Sequence, residues 1–399
     1  MTDDEVRSMK EYWEAHARND PLWAVLSDPA KDGRRWDSLS FFETGRREIS
    51  VLFYQLDALG IGCGSASALD FGCGVGRLSQ ALARRFDRVV GVDISPAMIR
   101  LAERFNAAPD RVRYAVNEYE HLKAFPEGDF DFIYSNIVLQ HIRPEITLKY
   151  LEEFVRLLAP GGLLVFQLPS HLKSSDEAAV PDGPALAAEA YSARIRLVEP
   201  VPQPAKPASS FVLGLEVENA GPLSWKQNRA TIIRVGNHWY GPDGETMLVQ
   251  DDGRADLPPA MAPGERGLVY LACRAPSEVG RYICEIDLVH ESIAWFKDRG
   301  SAPLRFEVTV GDEGSGSGGH AGGFDADNDA SGWKDRIKDI PLDEFLDSYQ
   351  RLEPFPMHGI PKDRVVEFFL ARACRVERIE EDAHGGPEWT GYRYFVRKS

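Results

Sequence analysis

Between Ala68 and Leu168, short apolar runs alternate with stretches whose apolar residues recur every three or four positions. The first period belongs to buried strands and the second to amphipathic helices. Strands are predicted over 68–71, 88–92, 112–116, 129–135 and 162–168. After the first, Leu78, Leu82 and Phe86 share one helical face. After the second, Ser95 and Pro96 supply an N-cap and a first helical position for a helix running to Phe105. A later helix carries Leu148, Leu151, Val155 and Leu158 on one face and is predicted to stop at Pro160-Gly161-Gly162. The strands are apolar throughout rather than alternating, as in a parallel sheet covered by helices on both faces, so the fold class is α/β.

The pattern changes after about Ala190. Runs such as FVLGLEVEN, ATIIRVGNHWY, GLVYLACRA, GRYICEIDLV and LRFEVTV are short and β-rich, and turn signals at 241–244, 262–265 and 275–280 separate them. This is the pattern of an all-β sandwich over 190–310. A Pro-rich entry (Pro200, Pro202, Pro204, Pro207) and a Gly/Ser/Asp-rich exit flank it, and the exit predicts a flexible linker over 311–335. From 336 to 399 the helix–strand pattern resumes: a helical approach at 341–350, a helix at 361–374 with Val365, Phe368 and Phe369 on one stripe, then RVERIEED and GYRYFVRK as two strands. One α/β domain, begun in 1–180 and closed in 336–399, is thus expected to carry the sandwich as an insertion. Trp239–Tyr240 and Trp295–Phe296 are neighbours, and neighbours on a strand face opposite ways, so one of each pair should lie outside the core unless something covers it.

Composition narrows the partners. The chain has 399 residues, 43% of them hydrophobic, enough for two cores. Its 46 Lys plus Arg against 62 Asp plus Glu give a formal net charge of −16. With no dense cationic run to displace counterions, nucleic acid is not the expected substrate. The amino terminus lacks an apolar signal core and no run is long enough to span a bilayer, so a cytoplasmic protein without membrane insertion is expected. The five cysteines lack metal-site spacing and no metal is expected; Cys273 and Cys284 read as free thiols, and Cys73 as a small buried residue.

The chemistry concentrates in ALDFGCGVGRLSQALARRFDRVVGVDIS. Gly72, Gly74 and Gly76 follow a strand, and Asp93 closes the next strand 21 residues after Gly72, where a carboxylate can take both hydroxyls of a ribose. A dinucleotide loop wants its third glycine three positions after the second; Arg77 stands there and the glycine comes one residue early. The resulting acidic-x-G-x-G-x-G loop with its downstream acid resembles the class I S-adenosylmethionine-dependent methyltransferases over about 1–170 and 340–399. The resemblance implies a Rossmann-like sheet completed by a last helix and an antiparallel pair, and S-adenosylmethionine as cofactor. By it, Gly72, Gly74 and Gly76 admit the amino acid half of the cofactor, Asp70 positions the loop, Asp93 holds the ribose, and Glu118, with Asn117 beside it, meets the adenine. Ser135 to Val138 would flank the sulfonium by backbone contact, and the aromatic amino-terminal helices would cover the pocket with Tyr12 or Trp13 and bring Arg46 to the cofactor carboxylate.

His141, six residues past Ser135, is the candidate general base, with a structural histidine as the alternative; Gln140 and His358 are weaker substrate contacts. The all-β segment is similar to the immunoglobulin-like modules fused to bacterial methyltransferases of surface-glycan clusters, on the strength of HWYGPDG, LPPAMAPGE, APSEVGRY and IAWF. The expected activity is methyl transfer to oxygen or nitrogen of a small molecule or saccharide. The pair of prolines and aromatic residue used by amino-adenine methylases is replaced by SNIVLQ. A non-catalytic glycan- or partner-binding scaffold that keeps the cofactor fold is the alternative, and a dinucleotide oxidoreductase comes third. From its junctions after Leu168 and before Pro361, the inserted module is expected at the ligand rim of the sheet, as a lid or acceptor platform.

Overall fold

The computed structural model describes residues 3–399 except 29–30, 174–185, 202, 228–230, 251, 259, 292, 312–332, 339, 351, 353–355 and 387. Two compact units emerge: Met1–Ile49, Gly60–Lys173 and Ala330–Ser399 form the first, and Ser50–Leu59 with Ser174–Asp329 the second.

The first unit is built on a seven-stranded sheet. β1 (Ser67–Phe71), β2 (Arg88–Asp93), β3 (Val112–Val116), β4 (Phe130–Ser135) and β5 (Leu158–Leu172) pair in parallel in the order β5-β4-β1-β2-β3. β6 (Cys374–Asp382) and β7 (Trp389–Lys398) close the other side, β7 lying antiparallel between β5 and β6. The helices are α1 (Asp3–Asn19), α2 (Pro21–Val25), α3 (Ser38–Ala58), α4 (Arg77–Leu82), α5 (Pro96–Phe105), α6 (Pro144–Leu157), α7 (Trp333–Ile337) and α8 (Lys362–Leu370). The division between units passes through α3. Leu151 and Phe154 of α6 and Val365 and Phe369 of α8 pack against Phe166, Leu168 and Tyr394 of the sheet in one apolar core. A second core joins Leu22, Phe41 and Phe42 to Met98 and Phe105 of α5. Ser95 caps α5 as its sequence signals, accepting the amide of Met98.

The departures have local causes. α6 stops at Leu157, and β5 begins at once with Leu158 and takes in Pro160-Gly161-Gly162. The register explains this: Phe130 pairs with Leu158 but Phe132 with Leu163, so the residues between bulge out, with Gly161 in the left-handed region at φ 74°. α8 is shorter than the 361–374 expected, because Ala373 at φ 53° turns the chain into β6. Most of the expected linker at 311–335 lies outside the described residues, but its last part is the helix α7, whose Trp333 and Ile337 are buried in the core of α5. In the expected helical approach at 341–350 only a single 3₁₀ turn forms, at Asp343–Phe345.

In the second unit, Ala193–Leu197, Ser210–Asn219 and Arg266–Arg274 make a three-stranded antiparallel sheet, and Ile233–Tyr240 and Gly280–His290 form the centre of a six-stranded one. Leu213, Leu215 and Leu271 of the first share one core with Trp239, Cys284 and Leu288 of the second. Cys273 and Cys284 are buried on different sheets, with no disulfide between them. Trp239 fills that core, and Tyr240 on the opposite face is covered too: its hydroxyl donates to Glu285, and the Arg305 guanidinium lies 4.5 Å above its ring. Trp295, by contrast, packs on His238 while Phe296 takes the core.

Candidate functional site

At the carboxyl ends of β1, β2 and β4 a pocket opens, as expected for an open α/β sheet. Gly72, Cys73 and Gly74 form its floor, Asp93 and Asn117 one side, Asn136, Ile137 and Val138 another, and Met9, Trp13 and Val25 close it from the amino-terminal helices. Gly72, Gly74 and Gly76 all adopt positive φ (76°, 50° and 84°). A Cβ on Gly72 would stand 2.3 Å from Val138, and one on Gly74 2.3 Å from Val25, so the walls close onto the loop only because it lacks side chains. Gly76, outside the lining, starts α4 in the left-handed region against Tyr114.

Asp93 ties the two motifs together. One carboxylate oxygen accepts the Gly74 amide at 2.9 Å and the other accepts the Ser95 amide at 2.9 Å. Burial pushes its carboxyl above the usual range although these amides donate to it. Asp70 lies beneath the loop rather than in the pocket: it accepts the Ser79 hydroxyl at 2.6 Å, and burial pushes it up to about 7. It thus anchors α4, the helix that follows the loop.

Several expected contacts fall elsewhere. Glu118 is outside the lining and pairs with Lys10 at 2.5 Å; Asn117 lines the pocket instead, because successive residues of the extended chain leaving β3 point opposite ways. Ser135 is buried and gives its hydroxyl to the Phe71 carbonyl at 3.2 Å, leaving Asn136 to Val138 as the wall. His141 is also outside the lining. The Pro356 carbonyl, 2.8 Å from Nδ1, can only accept, so Nδ1 carries the proton and Nε2 accepts from the Gln140 amide at 3.0 Å. Burial brings this imidazole down to about 4. Its ring meets Trp13, 5.4 Å between centroids, so it backs a pocket residue and does not present a base. Gln140 is engaged with His141, and His358 donates its backbone amide to the Gln140 carbonyl away from the pocket. Arg46 stacks 4.0 Å above Trp333.

Other residues take functional positions that the motif did not reveal. Arg77, read from sequence only as a non-glycine, lines the pocket and pairs with Glu48 at 2.8 Å. The same Glu48 accepts the Tyr134 hydroxyl at 2.9 Å and the Asn136 side-chain amide at 2.8 Å. Burial alone would raise Glu48; the charges of Arg77, His384 and Arg393 and the Tyr134 hydroxyl outweigh it and hold the carboxyl below its ordinary range. Ile137 sits at φ 60°, a conformation that a β-branched residue adopts only under constraint, in the pocket wall.

The arrangement suits an adenosyl ligand: a floor without side chains at Gly72 and Gly74, a carboxylate at the end of β2 with lone pairs to spare, and an amide at Asn117. Among the described residues no cluster of His, Cys, Asp and Glu is arranged to hold a metal ion.

Residues 69–166 match the family described as Methyltransferase domain. The chain is 39% identical over 107 residues to the trans-aconitate 2-methyltransferase of Methylobacterium radiotolerans, covering 26% of this chain and 38% of that protein. It is 35% identical over 100 residues to the ubiquinone biosynthesis O-methyltransferase of Xanthomonas oryzae pv. oryzae, covering 25% and 41%. The chain therefore spans well under half the length of these relatives. A solved structure described as an S-adenosylmethionine-dependent methyltransferase from Clostridium acetobutylicum is 10% identical and covers 87% of this chain and 89% of its own, with a TM-score of 0.36.

Proposed function

We propose that this chain, in which residues 69–166 form a methyltransferase domain of the class I, S-adenosylmethionine-dependent kind, transfers a methyl group to oxygen or nitrogen of a small molecule or saccharide. The observation that carries this reading is the pocket itself, where the positive-φ loop at Gly72 and Gly74 is hydrogen-bonded to the ribose-type acid Asp93 at 2.9 Å. When bound, the cofactor supplies an electrophilic methyl group. The protein's task is to align the nucleophile and exclude water: Trp13 and Met9 cover the pocket, Asn136 and the strained Ile137 shape the acceptor side, and His141 braces Trp13. Gly72, Gly74 and Asp93 would hold that cofactor, and Asn136 and Ile137 would set the acceptor's approach to it. The names of the two relatives, an aconitate and a quinone-pathway enzyme, favour a small-molecule acceptor. The net charge of −16 favours it over nucleic acid.

We read the two facing sheets of the second unit as an immunoglobulin-like sandwich. We place the protein in the cytoplasm; among the described residues no helix is long and apolar enough to cross a membrane.

Calorimetric titration tests the reading. S-adenosylmethionine and S-adenosylhomocysteine should bind and NAD should not. A charged hydrogen bond of the kind Asp93 would offer contributes about 1.5 to 3 kcal/mol, so Asp93→Ala should weaken both at least tenfold. Binding without methyl transfer to any acceptor would favour a non-catalytic scaffold, and tight NAD binding would overturn the proposal.

A further inference from the structure

One face of the first unit's sheet carries polar side chains that the cofactor reading does not use. Gln167 of β5 lies directly opposite Arg393 of β7, and Asn136 comes level with them because Ser135 pairs with Phe166. Glu48 of α3 reaches this face through Tyr134 and Asn136, and Asp382 and His384 close it at the end of β6. The positions come from five separate stretches of chain, so no local motif brings them together.

Their hydrogen bonding is incomplete in a specific way. Gln167 is only 1% exposed, yet neither Oε1 nor Nε2 of its amide meets a partner in the protein. Oδ1 of Asn136 and Nε of Arg393 are likewise buried and unpartnered. An unmet buried donor or acceptor costs about 1 to 3 kcal/mol, and several converging in one place are not a feature that packing alone retains. At one end of the cluster the His384 side chain is 37% exposed. The cluster also adjoins the methyl-donor pocket, because Asn136 and Arg77 line that pocket.

Charged groups crowd this face. Glu48 and Asp382 face Arg77, Arg393 and His384, with Arg77 on Glu48 at 2.8 Å and His384 Nδ1 and Arg393 on Asp382 at 2.8 and 3.0 Å. Burial opposes a charged His384, but Asp382 more than offsets it and raises the imidazole, which favours its charged form. Arg393 turns one terminal nitrogen to Asp382 and keeps its Nε–H free.

We propose that this face is the acceptor subsite and that it takes a hydroxy acid: an oxyanion, carboxylate or phosphate, held by Arg393 Nε–H, the Gln167 amide and His384, with the hydroxyl to be methylated donating to Asn136 Oδ1 at the edge of the donor pocket. A guanidinium and an amide on directly paired strand positions supply the donors that an oxyanion takes. Asn136 gives its N–H to Glu48, which fixes its Oδ1 as the acceptor on offer. The assignment rests on the methyltransferase reading for the role of the hydroxyl, but the anion site is independent of it.

The matched pair 4-hydroxybenzoate and 4-hydroxybenzamide tests this, titrated calorimetrically into the protein alone and into its S-adenosylhomocysteine complex, with phenyl phosphate to separate carboxylate from phosphate recognition. The benzoate should bind at least tenfold tighter than the amide, and weaken with salt. Arg393→Gln should lower benzoate affinity at least tenfold. Because that variant strips Asp382 of a partner and can unfold the chain, Gln167→Leu is the second probe: it removes an amide with no protein partner, so the melting temperature should hold or rise while benzoate affinity falls tenfold. Equal binding of the pair, failure of every oxyanion to bind, or unchanged affinity in Gln167→Leu overturns the proposal. If the benzoate binds and S-adenosylhomocysteine does not, the anion site stands and the methyltransferase reading falls.

Discussion

At His141 burial decides between two roles for one imidazole. A base for methyl transfer needs a lone pair facing the acceptor and affinity for a proton near neutral pH. Here the Nε2 lone pair accepts from Gln140, Nδ1–H donates to Pro356, and burial takes the group from 6.5 down to about 4. The folded state therefore refuses a proton that the unfolded chain accepts. With the folded value depressed, the contribution to stability is complete above about 6.5 and is lost as pH falls towards 4. Melting temperatures of native protein and His141→Gln, taken from pH 7.5 to 4, should converge as the pH falls, because the variant lacks this proton linkage. Parallel curves would show that the imidazole is not held neutral. The sequence offered both readings of His141, and spacing could not choose between them. The choice depends on Pro356, 215 positions away. Glu48 was hidden for the same reason: its partners Arg77, Tyr134 and Asn136 lie 29, 86 and 88 residues along the chain.

The glycine loop was legible because its constraint is local. Positive φ, a helix start and an acid one strand later are all written within residues 70–95. Two glycines separate conformation from contact. Gly161 (φ 74°) has no atom within 4 Å of an added Cβ, whereas Gly72 (φ 76°) would drive one to 2.3 Å from Val138. Gly161→Ala should cost only the left-handed penalty, about 1 to 2 kcal/mol, and leave cofactor affinity alone. Gly72→Ala should cost more, since Val138 and the strained Ile137 must move, and should weaken S-adenosylmethionine at least tenfold. Denaturant midpoints and calorimetry measure both. Equal stability loss in the two variants would mean that the Gly72–Val138 contact relaxes freely. Element boundaries were less legible than element types. The bulge that absorbs Pro160 to Gly162 is a property of the register between β4 and β5, and a single strand's hydrophobicity does not encode its partner's register.

For the whole molecule, the sheet of the first unit is closed by two distant parts of the chain. β5 ends at Leu172, and β7, which pairs with it from Leu163 to Leu172, begins at Trp389. Everything between Ser174 and Asp329 belongs to the second unit, whose core is filled from its own sheets, with Trp225 and Met261 of a two-stranded pair included. The pocket, by contrast, is lined wholly by residues between Met9 and Tyr150 of the first unit. Replacing 174–329 with a short Gly/Ser linker should therefore leave a folded protein that binds S-adenosylmethionine within about threefold of the native affinity, a difference of under 1 kcal/mol. The excision carries a cost at α3. Residues 50–59 cluster with the second unit, where Tyr54 packs edge-on against Tyr270 at 5.7 Å and reaches Glu199. Removing those partners bares the end of the helix, so the shortened protein should melt at a lower temperature, and Tyr54→Glu in that background should recover solubility without restoring melting temperature. A shortened protein that is folded by circular dichroism but no longer binds the cofactor would show that the pocket depends on the excised segment. One that binds with native affinity and melts with the native protein would show that α3 gains nothing from residues 174–329.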